Sequence, residues 1–151
     1  MRELGVGVVY WPELHPLFSG NDAAVSVLEL EPQAFWEKTS DGSGWHYRNN
    51  EALLDLVASL PQAKLLHGVG HPFGGTAADT IDFAPLLRHI SQRLDPAWVS
   101  EHLSFNRVKG AVEVEHVGFL LPPAQTLFTV KVAAQNICRF RQVLGRPPDR
   151  L

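Results

Sequence analysis

The sequence predicts an α/β fold of parallel strand-helix units forming about half of a TIM-type barrel, and three observations predict it. Short apolar runs alternate with segments of helical periodicity four times along the chain. Two of these runs, Lys64-Leu65-Leu66-His67 and Trp98-Val99-Ser100-Glu101-His102, close on a histidine, and the second follows after about 35 residues, the length of one strand-plus-helix repeat. Glu29 with Glu31, His67, and Glu101 with His102 all fall at the C-terminal ends of successive predicted strands, where such barrels assemble their sites. Periodicity alone leaves a doubly wound sheet equally open; the placement of these side chains selects the barrel. A complete barrel needs about 250 residues, so the 151 residues present are expected to form a single domain, 1–151, that stops before a fifth strand.

The first strand is read over Leu4 to Tyr10, ended by Trp11-Pro12, with a short helical turn from Glu13 to Phe18. Val25 to Glu31 is the second strand, and its alternation puts Glu29 and Glu31 on one face. Pro32 closes it. A brief helix is expected over Gln33 to Lys38, then a polar loop from Thr39 to Asn49 holding Trp45, His46 and Tyr47. Asn50 caps a helix from Glu51 to Leu60, whose Leu53, Leu54, Leu56, Val57 and Leu60 keep helical spacing.

The third strand runs from Lys64 to His67 without the alternation of a half-exposed strand, so it is read as covered on both faces. Gly68, Gly70, Gly74 and Gly75 then allow the backbone sharp turns or close approach to a ligand. Asp82 is placed as the cap of a helix from Phe83 to Leu94, with Pro85 tolerated in its first turn. Ala97 to His102 is the fourth strand. A small hairpin insertion follows it within Leu103 to Val117, turning at Lys109-Gly110. A long helix from Ala124 to Leu144 completes the chain, with Thr126 as cap, Gly145 as stop and Cys138 read as a packing residue.

A hydrophobic fraction of 45% supports a real core. A net charge of −3 with scattered Lys and Arg offers no field for a nucleic-acid backbone, and no apolar run reaches membrane-spanning length. The lone cysteine and the absence of a secretory signal in the opening residues point to the cytoplasm. Two imidazoles and several carboxylates from neighbouring strand ends make a nitrogen and oxygen donor set suited to iron, manganese, zinc or cobalt. No HExxH or CxxC spacing supports this locally. His67 and His102 are the candidate metal ligands, expected to lean toward a shared cavity at the rim of adjacent strands. Glu101 precedes His102, points to the other face of a regular strand and is assigned a supporting role. Glu29, Glu31 and His71 are supporting or substrate-facing candidates, whereas His15, His46, His89 and His116 are read as surface residues.

At these residues the chain resembles the multinuclear non-heme iron oxidases, a family long catalogued as uncharacterised TIM-barrel proteins. The likeness runs through Gly5-Val6-Gly7, Leu28-Glu29-Leu30-Glu31-Pro32, Leu66-His67-Gly68-Val69-Gly70, Val99-Ser100-Glu101-His102-Leu103-Ser104, Leu120-Leu121-Pro122 with Thr126, and Leu144-Gly145-Arg146-Pro147. The resemblance implies that His67 and His102 are iron ligands. It further implies a cluster of two or three irons that activates dioxygen to oxidise a cysteine or another residue of a ribosomally made precursor peptide. A partner protein that holds the leader of that peptide is implied as well.

The sequence departs from the pattern at Gly118-Phe119, where the family carries Asn-Asp, and at His71, which replaces an apolar residue. The family also continues into a fifth strand whose Glu-Asn-Pro segment supplies a further ligand, which this chain lacks. The expectation is therefore weak iron binding and little turnover from the chain alone, with open first and fourth strands prone to self-association. Two other readings compete: a divalent-metal isomerase or phosphodiesterase of the xylose-isomerase-like barrels, and a non-catalytic fragment or binding scaffold.

Overall fold

The computed structural model describes residues 3–20, 25–42, 44–76, 83–109 and 114–145, with 114–116 described through the backbone alone. In chain order these form β1 (Gly7–Val9), a 3₁₀ turn (Pro12–Leu17), β2 (Val27–Leu30), a second 3₁₀ turn (Pro32–Phe35), β3 (Trp36–Ser40) and β4 (Trp45–Asn49). Then follow α1 (Glu51–Ala58), β5 (Ala63–Gly68), α2 (Ala84–Leu94), β6 (Val99–Glu101), β7 (Phe105–Lys109), β8 (Val114–Leu121) and α3 (Leu127–Leu144). Strands β1, β2, β5 and β6 make a four-stranded parallel sheet in that order, so β1 and β6 are its outer members, as the strand-helix alternation predicts. Register is set by Val8 opposite Leu28 and by Glu29 opposite Leu65. The glycine at position 7 is required here: a Cβ on it would lie 2.6 Å from the Val27 carbonyl oxygen.

The chain divides into two compact units, Met1–His67 with His89–Ser100, and Gly68–Arg88 with Glu101–Leu151. The first holds most of the core. Leu28, Leu30, Phe35, Leu54, Val57, Leu66 and Ile90 are fully buried, each contributing about 1.5–3 kcal/mol by leaving water. Leu65 and Leu66 are both buried on β5, in agreement with a strand covered on its two faces. Helix α1 begins as expected, the Asn50 side chain accepting the Leu53 N–H at 2.9 Å. Glu51 and Asp55 on α1 pair with His89 and Arg93 of α2.

Two expectations fail in the first unit. Gln33 to Lys38 is not a helix and Thr39 to Asn49 is not a loop: after the second 3₁₀ turn, β3 and β4 form an antiparallel hairpin with Trp36 opposite Asn49 and Ser40 opposite Trp45. The reason lies in strand-favouring Trp36, Thr39, Trp45 and Tyr47 flanking a turn whose Gly42 and Gly44 adopt φ of 87° and 136°, open only to glycine. Lys38 sits 4.8 Å over the Trp45 ring, and Arg48 bonds Glu37 directly across the hairpin. The first strand also shortens: β1 covers three residues rather than seven, since Gly5 at φ 94° takes the chain out of extended geometry.

In the second unit β7 and β8 are the predicted hairpin insertion, its turn lying outside the described residues, and β8 runs on to Leu121. Thr126 caps α3 by accepting the Thr129 N–H at 3.2 Å, and Gly145 ends it at φ 64°. Pro85 lies in the first turn of α2 as expected, while the proposed cap Asp82 falls outside the described residues. Arg88 Nε donates to the Val143 carbonyl at 2.7 Å, fastening α2 to α3. Cys138, expected in packing, is exposed on α3, because the buried stripe of that helix passes through Ala133 and Leu144. Among the described residues no helix is long and apolar enough to cross a membrane.

Candidate functional site

His67 lies one residue before the end of β5, where the apolar run has fixed the backbone and the glycines begin. Its ring is half-buried, and Nδ1 stands 2.9 Å from Ser100 Oγ on neighbouring β6. The Ser100 hydroxyl in turn reaches the Leu66 carbonyl oxygen at 3.4 Å. Glu29 and Glu31 belong to the same unit and are half-buried. Glu29 is in register with Val9 and Leu65, so it occupies the middle of the sheet; Glu31 opens the second 3₁₀ turn, its carbonyl accepting the Ala34 N–H.

The other candidates gather in the second unit. Glu101 Oε2 accepts the His71 N–H at 3.0 Å, and Oε1 accepts the His102 N–H at 2.9 Å. The carboxylate thus joins the glycine segment to the chain leaving β6. Burial pushes the Glu101 pKa up from its ordinary value, winning over the two backbone N–H bonds and the positive potential of His71 and His102, which pull it down. Both oxygens of Glu101 are thus engaged by backbone N–H groups rather than by an imidazole ring. The His71 ring meets Phe83 edge-on, with centroids 5.5 Å apart. His71 is half-buried.

The glycine segment is also tied at Gly70, Phe73, Gly74 and Gly75. Phe73 N–H donates to His102 O at 2.9 Å, and Gly74 N–H to Ser104 O at 2.7 Å. Arg107 donates to Gly70 O at 3.1 Å, while Asn136 of α3 donates to both Phe73 O and Gly75 O at 2.9 Å. The Phe73 ring packs against Phe140 with centroids 5.2 Å apart. Such anchoring holds His71 and its neighbours in one geometry, which a binding or catalytic segment requires. Ser100, Arg107 and Asn136 were not singled out from sequence. The available signal for Ser100 was its position two residues before His102, in the apolar run that closes on that histidine; Arg107 and Asn136 gave none.

Three of the histidines read as bare surface residues have partners. His15 Nδ1 lies 3.2 Å from the Tyr10 hydroxyl, His46 pairs with Asp41 at 3.8 Å and His89 with Glu51 at 3.1 Å. The side chain of His116 falls outside the described residues. Among the described residues no three His, Cys, Asp or Glu side chains gather into a group able to hold a metal ion. The donor chemistry on hand is therefore paired: an imidazole with a hydroxyl at His67, and a half-buried carboxylate with two histidine backbones at Glu101.

Residues 5–148 match the family described as RiPP precursor modification enzyme MbnB/TglH/ChrH, RiPP denoting a ribosomally made peptide that is afterwards modified. Curated relatives carry the name UPF0276 protein. One from Caulobacter vibrioides is 34% identical over 82 residues, covering 54% of this chain and 28% of the relative. One from Caulobacter sp. strain K31 is 37% identical over 81 residues, with the same shares. The relative from Chromobacterium violaceum is 29% identical over 119 residues, 79% of this chain and 41% of its own. In each case most of the relative lies beyond the matched stretch.

Proposed function

The chain belongs to the MbnB/TglH/ChrH family of RiPP precursor modification enzymes, and from that membership we propose that it carries the N-terminal strand-helix units of an iron-dependent oxidase. The reaction proposed is oxidation by dioxygen of a cysteine or another residue in a ribosomally made precursor peptide. The observation that carries the reading is the family match across both histidine motifs, together with His67 at the end of a buried parallel strand and a hydroxyl on its Nδ1. Ligating histidines almost always have such a partner on the second ring nitrogen.

His67 and His102 are the proposed iron ligands. Imidazole nitrogen suits iron, so the residue types fit, but two imidazoles are only part of a coordination sphere. Iron, when bound, supplies the redox chemistry with dioxygen. The chain's own contribution is to hold the imidazoles at strand ends and, through Glu101, to fix the backbone of His71 and His102. His71 is proposed to face the peptide, with Glu29 on β2 and Glu31 just after it supporting the site. A leader-binding partner protein and pairing through the outer strands β1 and β6 complete the proposal.

The test is an anaerobic Fe(II) titration of the chain with a ribosomal precursor peptide and its leader-binding partner, followed by oxygen and mass spectrometry of the peptide. The reading expects a small, iron-dependent mass change that disappears in His67→Ala and His102→Ala. A single zinc or manganese ion without peptide oxidation would point instead to an isomerase or phosphodiesterase. No metal uptake at all would leave a binding scaffold.

A further inference from the structure

We infer that Ser100 is a positioning residue that sets the tautomer of His67, holding the ring proton on Nδ1 and the lone pair on Nε2. The argument is one of hydrogen-bond inventory. A serine hydroxyl has one proton to give and two lone pairs to receive with. Ser100 Oγ lies 3.4 Å from the Leu66 carbonyl oxygen and 2.9 Å from His67 Nδ1. The carbonyl can only accept. Both contacts are satisfied together in one arrangement, in which Ser100 gives its proton to Leu66 O and receives the Nδ1–H of His67.

A neutral imidazole has one protonated nitrogen, so Nε2 then carries the lone pair. Leu66 and Ser100 belong to neighbouring strands of one sheet, and Leu66 is fully buried, its N–H bonded to Trp98 O at 3.1 Å. The relay Leu66 O, Ser100 Oγ, His67 Nδ1 is thus built on rigid backbone, and the imidazole plane is held along with its proton. Free imidazole side chains in water favour the opposite tautomer, with the proton on Nε2, so the serine acts against the intrinsic preference. What it prepares is a ring whose Nε2 can bind an electrophile without first losing a proton.

The tautomer itself needs no metal, whereas its use as a ligand rests on the reading of His67 as an iron ligand. The experiment separates the two. Long-range ¹H–¹⁵N spectra of the metal-free chain, at a pH where imidazoles are neutral, report which nitrogen of His67 bears the proton, with His67→Gln assigning the resonance. The wild type and Ser100→Thr, which keeps the hydroxyl, are expected to show the Nδ1–H form, and Ser100→Ala to move to Nε2–H. Thermal unfolding confirms that the variants are folded.

Titration with Co(II) alone is expected to show about tenfold weaker binding in Ser100→Ala and wild-type binding in Ser100→Thr. An Nε2–H form in the wild type, or a tautomer indifferent to Ser100→Ala, overturns the inference. Should the tautomer follow Ser100 while His67→Ala binds Co(II) as tightly as the wild type, the tautomer assignment stands and the ligand reading of His67 falls.

Discussion

Gly74→Ala should loosen the glycine segment without touching any proposed ligand. A Cβ added at Gly74 would lie 2.7 Å from Ser104 O and 3.0 Å from both Cβ and Cγ of Pro123. The first neighbour is backbone and the second a ring, so neither can swing aside as a long side chain could. Overpacking of this kind costs about 1–3 kcal/mol. The displacement also strains the 2.7 Å bond from Gly74 N–H to Ser104 O, worth about 1 kcal/mol. Against these stands a gain of roughly 0.5–1 kcal/mol, because alanine restricts the unfolded chain. The net is a loss of about 2 kcal/mol, or roughly a thirtyfold rise in the population of the opened segment. Amide hydrogen exchange reads it directly: protection at Phe73 and Gly74 should fall by that factor, while Leu28 and Leu66 keep theirs. Gly20→Ala is the control of opposite sign, since nothing lies within 4 Å of a Cβ there, and it should be neutral or stabilising by about 0.5 kcal/mol. Unchanged protection in Gly74→Ala would refute the claim that the segment is held by close backbone contact with the start of β7.

Two further outcomes follow from the same geometry. In Glu101→Gln the amide offers one acceptor oxygen where two backbone N–H groups are held, so one is left unsatisfied at a cost of about 1–3 kcal/mol; thermal unfolding should drop and the His71 or His102 amide should exchange faster. Equal stability would mean that the second bond contributes nothing. Tyr10, only 6% exposed, has its pKa raised by burial first and by the Glu13 charge second. Its stabilising contribution is therefore fully present below the unfolded tyrosine value of about 10 and is lost as pH rises through the higher folded value. Tyr10→Phe should flatten the alkaline slope of stability, and an unchanged slope would remove Tyr10 as its source.

The parts of the fold legible in sequence are those coded by near neighbours. Asn50 reaches the amide of Leu53, Thr126 that of Thr129, and Gly145 supplies the φ of 64° that stops α3. All three signals lie within one helical turn. The order of the parallel strands was legible from alternation, though their ends were not. Strand ends depend on how far a neighbour can follow, as Gly5 leaving extended geometry before β1 shows. The β3–β4 hairpin was misread because hydrophilicity was weighed above propensity. Glu37 and Lys38 look like helix residues and His46 and Arg48 like loop residues, but on a two-stranded ribbon charged pairs such as Glu37 opposite Arg48 are cross-strand stabilisers.

The candidate site divides in the same way. An apolar run ending at an imidazole and then at glycines is a local pattern, and it led to His67. The partners that hold the candidate residues and the glycine segment come from far away in sequence: Ser100 is 33 residues from His67, and Asn136 reaches the Phe73 and Gly75 carbonyls 63 and 61 residues before it. No periodicity encodes such pairs; only the closing of the sheet and the docking of α3 create them. Glu101 shows why this matters for assigning function. A carboxylate beside two histidines invites a role in proton transfer or metal binding. Its two oxygens hold two backbone N–H groups, and burial raises its pKa. Strand alternation says only that Glu101 faces away from its neighbour; which groups its oxygens hold is set by hydrogen-bond geometry, and they are the backbone amides of His71 and His102.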